Sequence, residues 1–103
     1  MTLRQKQSLF VEMIALLILK AKDLGYKLTL ADAYRDPRVK YGHPKSLHRQ
    51  RLAIDFNLFK NGRYLTSTKS HTPLGEYWES IGGTWGGRFN DGNHYSLTHN
   101  GMK

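Results

Sequence analysis

The chain has 103 residues, with 16 Lys and Arg against 8 Asp and Glu, 5 His and no Cys, giving a formal charge of +8 at neutral pH. That length carries one domain, residues 1–103, with a modest core and no room for a second. Without cysteine there is no disulfide scaffold, no thiol nucleophile and no thiolate zinc site, so a metal would have to be held by histidine and carboxylate.

In chain order, Leu9, Phe10, Met13, Ile14, Leu16, Leu17, Ala21 and Leu24 recur at helical spacing and Gly25 supplies a stop, which predicts an amphipathic helix over residues 5–24. The apolar run from Leu9 to Leu19 is shorter than the stretch needed to cross a bilayer core of about 30 Å. Lys20, Lys22 and Asp23 follow it with no small-residue cleavage site, so the chain reads as lacking both a signal peptide and a membrane anchor. Lys27 to Tyr34 is rich in β-favouring residues and is expected as a strand ending at Arg35. Asp36-Pro37 breaks it and opens a basic loop through Gly42-His43-Pro44.

From Leu52 to Phe59 the pattern alternates, with Leu52, Ile54, Phe56 and Leu58 on one face and Ala53, Asp55 and Asn57 on the other. Asn61-Gly62 is a tight-turn signal, so Arg63-Tyr64-Leu65 is the expected return strand of a hairpin. Pro73 to Ile81 can form a short helix with Leu74, Tyr77, Trp78 and Ile81 on its apolar stripe, ended by Gly82-Gly83. Asp91-Gly92 is a turn, and His94 to Leu97 reads as a last strand. This order predicts an α+β fold, a small antiparallel sheet with flanking helices.

The basic residues are scattered, densest at Arg35 to Lys45 and Arg49 to Arg51, with no long run and no zinc-finger spacing. Such a surface fits a solvated basic protein or one drawn to an acidic envelope polymer better than a dedicated nucleic-acid binder.

Four positions could carry chemistry: His48, Asp55, Asp91 and His94. Asp55 sits in an otherwise apolar strand, where a carboxylate needs an arginine, backbone donors or a metal. An odd separation puts His48 and Asp55 on opposite faces of a continuous strand, so a turn around Gln50 and Arg51 is required to bring them together. Two histidines, one carboxylate and an open position make a catalytic zinc site, and a further carboxylate is then wanted as general base. Spacing leaves plainer readings open: a surface histidine at 48, an ion pair of Asp55 with Arg35 or Arg63, a hydrogen-bonded ring at His94, and a turn residue at Asp91.

The string from Ser46 to Asp55 resembles the Ser-x-His-x6-Asp motif of the M15 zinc peptidases, and Asp91-Gly92-Asn93-His94-Tyr95 resembles that family's Asp-x-x-His motif followed by an aromatic. Arg35 precedes them as the family's arginine does, and the likeness covers nearly the whole chain, closest to phage endolysins. The resemblance implies the fold of that peptidase domain and Zn2+ held by His48, Asp55 and His94. It implies Asp91 as general base, Arg35 at the substrate carbonyl or oxyanion, and Ser46 as a loop-fixing hydrogen-bonder. The substrate it implies is the stem peptide of peptidoglycan, cut by an L-alanyl-D-glutamate endopeptidase. D-alanyl-D-alanine carboxypeptidase or dipeptidase action, or a zinc-stabilised wall-binding module, are the alternatives. The expected protein is a monomer without a nucleic-acid partner, held in the host cytoplasm until lysis releases it to the wall. Arg51 departs from the family, many of whose members have glycine there; glycine permits a turn conformation that arginine resists. His43 and His99 are expected at the surface, and His71 reads only as part of a polar stretch; Tyr77 and Trp78 are expected in the core, and Trp85, between glycine pairs, in the cleft wall.

Overall fold

Thr2 starts the first helix. Its hydroxyl accepts from the Gln5 amide at 3.1 Å while the Gln5 side chain accepts from the Thr2 amide at 2.8 Å, a reciprocal cap that sets the start of α1 at Leu3, two residues before the apolar periodicity announces it. The computed structural model describes residues 1–31 and 47–103, and in it α1 runs Leu3–Asp23. Lys20 and Lys22 in its last turn complement the negative end of the helix dipole, and Gly25, at φ 84°, turns the chain into β1, Lys27–Leu30.

Beyond Ala31 the expected strand end, Arg35, the basic loop with His43, and Ser46 lie outside the described residues. The remaining elements are β2 (Ala53–Lys60), β3 (Arg63–Leu65), α2 (Thr72–Ser80), β4 (Thr84–Trp85) and β5 (His94–Ser96). Two 3-10 turns, Lys69–His71 and Gly86–Phe89, precede α2 and β5. The predicted hairpin is present, with Asn61 and Gly62 both at positive φ in its turn. The short strand β4 has no period to announce it and was not expected.

All pairings are antiparallel, in the order β1-β2-β5-β4, with β3 also on β2. The fold class is α+β, as anticipated. β2 is the central strand: β1 lines one edge, and β5 and β3 share the other, β5 against Ala53–Asp55 and β3 against Leu58–Lys60. Successive residues of a strand face opposite ways, so Ile54, Phe56 and Leu58 of β2 and Tyr95 of β5 turn towards the helices and are buried.

There the core is built around a chain of rings. Phe10 meets Trp78 edge-on at 5.8 Å, Trp78 meets Tyr95 at 6.1 Å, and Tyr95 meets Phe56 at 5.9 Å. The Trp78 indole donates to the carbonyls of Thr84 and Ser96 and ties α2 to the β4–β5 pair. Trp85 is also core and does not line a cleft: it is 3% exposed and its indole donates to the Gly92 carbonyl at 2.7 Å. Gly87 beside it and Gly75 of α2 make room for it; a Cβ on Gly75 would fall 2.0 Å from its ring. Glycine next to an aromatic here marks close approach, not looseness. Among the described residues no helix is long and apolar enough to cross a membrane.

Candidate metal centre

The face of the sheet turned away from the helices carries the polar residues singled out above. Asp55 of β2 and His94 of β5 are direct cross-strand partners, so the antiparallel register sets their side chains next to each other. His48 reaches the same point from the turn before β2. Buried Leu47 anchors that turn, its carbonyl accepting from Gln50 at 3.1 Å and from Leu52 at 2.8 Å, while the Arg51 amide donates to the His48 carbonyl at 3.2 Å. The reversal requires a left-handed residue, and Arg51 takes that conformation at φ 57°. The family's glycine would adopt it freely; arginine adopts it at a cost of about 1–2 kcal/mol. The turn needed to bring His48 and Asp55 together is therefore present at the expected residues.

Asp55 Oδ1 lies 3.3 Å from His48 Nε2 and 3.2 Å from His94 Nδ1, and the three donor atoms all fall within 4.8 Å of one another. An ion held tetrahedrally with bonds of about 2.1 Å separates its donor atoms by about 3.4 Å, so the two measured spacings fit one cation. Two imidazole nitrogens and one carboxylate oxygen are also the donor set such an ion takes at a site with an open position. His48 and His94 are buried and the Asp55 side chain is 14% exposed. Burial pushes the Asp55 carboxyl up, but the hydrogen bonds and charges of His48 and His94 outweigh it and hold the group below the usual carboxylate range. For His94, burial pulls down while Asp55 and a main-chain carbonyl pull up, and the net result is raised.

That carbonyl belongs to Lys103, 2.8 Å from His94 Nε2. A carbonyl only accepts, so Nε2 carries the hydrogen and Nδ1 is left to face Asp55, the ring orientation a metal ligand needs. The Ser96 hydroxyl donates to the same carbonyl at 3.1 Å, and a short bridge between His99 and Met102 holds the tail in place. Sequence reasoning missed Lys103 because its contribution is main-chain and leaves no side-chain signal.

Asp91 stands at the rim. It is 52% exposed, with Oδ2 4.0 Å from His94 Nδ1, close to the cluster but outside it. Asn90, left-handed at φ 62°, sets the turn, and the Asp91 amide donates to the Gly86 carbonyl at 2.8 Å. Beside it a hollow of about 210 Å³ opens where β5 gives way to β3 along the shared edge of β2, lined by Asn57, Tyr64, Thr68, His71 and Asn93. Phe89 lies against the His94 ring at 5.8 Å, a contact the sequence did not suggest.

Among the described residues, the other histidines stay out of the cluster. His71, read from the sequence only as part of a polar stretch, is buried: its Nδ1 shares a 2.8 Å hydrogen bond with the Tyr95 hydroxyl, and burial pulls its pKa down to about 4. Its polar neighbours in sequence gave no hint, because the 3-10 turn that precedes α2 rotates it inward. His99 is half-buried, its Nδ1 3.1 Å from the Lys6 ammonium.

A buried His-Asp-His cluster at a sheet face, with an acid at its rim, defines a candidate hydrolytic metal site. Residues 40–97, more than half of the chain, match the M15 peptidase family model described as D-alanyl-D-alanine carboxypeptidase, and the chain belongs to that family of peptidases. Among curated proteins no relative matches. The matched span includes His48, Asp55, Asp91 and His94 and begins after Arg35.

Proposed function

We propose that this M15 peptidase is a zinc enzyme of the phage endolysin type, cutting the stem peptide of bacterial peptidoglycan between L-alanine and D-glutamate. The observation that carries the reading is that Asp55 Oδ1 stands 3.3 Å from His48 Nε2 and 3.2 Å from His94 Nδ1, the spacing of ligands on one tetrahedral ion, with all three donor atoms within 4.8 Å of one another. Zinc, when bound there, supplies a Lewis acid for the scissile carbonyl and lowers the pKa of an attacking water towards ~7.

The chain's own residues do the rest. Asp91 is exposed at the rim and stands outside the ligand cluster; it takes the proton of the attacking water and passes it to the leaving amine. Arg35, in the role that the family resemblance implies for it, donates to the substrate oxygen as negative charge develops. His94 turns its Nδ1 towards the site, beside Asp55, through Nε2–H to Lys103. The polar hollow beside Asp91 is the place for the stem peptide, since its amides and hydroxyls can pair with a peptide backbone. The protein stays in the host cytoplasm until lysis and then meets the wall, to whose anionic polymers its +8 charge attracts it.

The family model's description favours a second reading, a D-alanyl-D-alanine carboxypeptidase using the same residues. Mass spectrometry of fragments released from purified peptidoglycan separates the two. The endopeptidase exposes a new amino terminus on glutamate; the carboxypeptidase frees only D-alanine. Loss of both products on chelation, and return with zinc, is expected; cleavage that ignores a chelator would overturn the zinc reading.

A further inference from the structure

Helix α1 buries one side, Phe10, Met13, Leu17 and Ala21, and leaves another exposed among the described residues. Along that outer side Arg4, Ser8, Val11, Ala15, Ile18 and Lys22 follow one another at steps of four and three residues, the spacing of a straight seam on a helix. All six are exposed, Val11 by 67% and Ile18 by 46%, and Leu19 beside them by 62%. Isolated exposed apolar residues are ordinary; a stripe of this kind, with a cation at each end and one exposed carboxylate, Glu12, along its edge, is not. The stripe runs about 27 Å from Arg4 to Lys22.

We infer that this face is a docking surface for an anionic lipid bilayer. Its apolar centre fits the acyl boundary and its cationic ends fit lipid phosphates. The charge pattern argues against a second copy of the chain. In antiparallel pairing Arg4 meets Lys22, in parallel pairing each meets itself, and each chain brings a net +8. The fold gives the docking a direction. The helices cover the sheet face to which Ile54, Phe56 and Tyr95 point, while Asp55 and His94 point the other way. A molecule lying on α1 therefore holds the metal centre away from the bilayer. On the outer surface of a cytoplasmic membrane that is towards the wall. The surface itself is argued without reference to the peptidase reading, and its test does not depend on it.

The test is co-sedimentation of the full chain with vesicles of phosphatidylcholine alone or of phosphatidylcholine and phosphatidylglycerol in equal parts. Binding to the anionic vesicles is expected to be about tenfold or more tighter than to neutral ones, and to fall about fivefold in Lys22→Gln and in Arg4→Gln. The double variant Val11→Gln/Ile18→Gln, both sites being exposed, is expected to lose binding while keeping its thermal midpoint and its metal content. Absence of binding, equal binding to both vesicles, or binding untouched in the double variant would overturn the inference. So would a dimer in sedimentation equilibrium that the double variant dissolves, because a second copy would then cover the face.

Discussion

On the rear of the β2–β5 pair, Ile54, Phe56 and Tyr95 lie buried among Phe10 and Trp78; on the front, one residue along in each strand, Asp55 and His94 meet His48. The rear is held by apolar contact and a ring chain, the front by a carboxylate that two imidazoles keep ionised. Two jobs, holding the fold together and holding a metal, are thus divided by the two-residue period of a strand. A register slip by one residue would exchange them. The division implies that front-face changes should remove chemistry and leave stability, and that rear-face changes should do the reverse.

The sharpest way to break that division is at the front. Asp55→Ala, or His48→Ala, is expected to abolish both metal binding and peptidoglycan cleavage, read by metal content and by the release of new amino termini. Retention of one metal per chain in either variant would place the site elsewhere. Asp91→Ala is expected to lower hydrolysis by about 10²- to 10⁴-fold, with a thermal midpoint close to the parent's because the side chain is largely exposed.

At the rear, Trp78→Ala should cost about 3–5 kcal/mol of stability, measured by urea unfolding. Trp78 is fully buried and two carbonyls lose their donor. Protein that remains folded should still bind metal. His71 offers a pH test of the same region. Its folded pKa, about 4, lies below its ordinary 6.5, so between these values the unfolded chain binds the extra proton. Stability is therefore full above pH 6.5 and falls as pH drops towards 4, by up to about 3 kcal/mol from this group. His71→Phe should flatten that part of the profile. The smallest effect is at Arg51: replacement by glycine relieves the left-handed strain and should raise stability by about 1 kcal/mol without moving metal affinity.

Much of this division was legible in the sequence. The alternation from Leu52 to Phe59 placed Asp55 opposite the core side, and the odd spacing from His48 demanded the turn that Arg51 makes. The resemblance to M15 motifs then joined His94 and Asp91 to them. What escaped notice did so for physical reasons. Lys103 acts through a carbonyl, which every residue has. His71 is carried inward by a short 3-10 turn with no apolar period. Trp85 was assigned to a cleft because glycines surround it, yet Gly87 beside it and Gly75 on α2 leave room for its ring to pack in the core. The cap at Thr2 and Gln5 was readable from its spacing alone and went unused, which is why α1 begins earlier than its apolar stripe.

The central claim is that His48, Asp55 and His94 hold the metal while Asp91, beside them, moves the proton. Its most direct test compares the wild-type chain with Asp91→Ala at matched metal content, scoring new amino termini released from purified peptidoglycan. The account predicts one metal per chain in both, with cleavage by the wild type and almost none by the variant. Cleavage by the metal-loaded variant at the wild-type rate would contradict it.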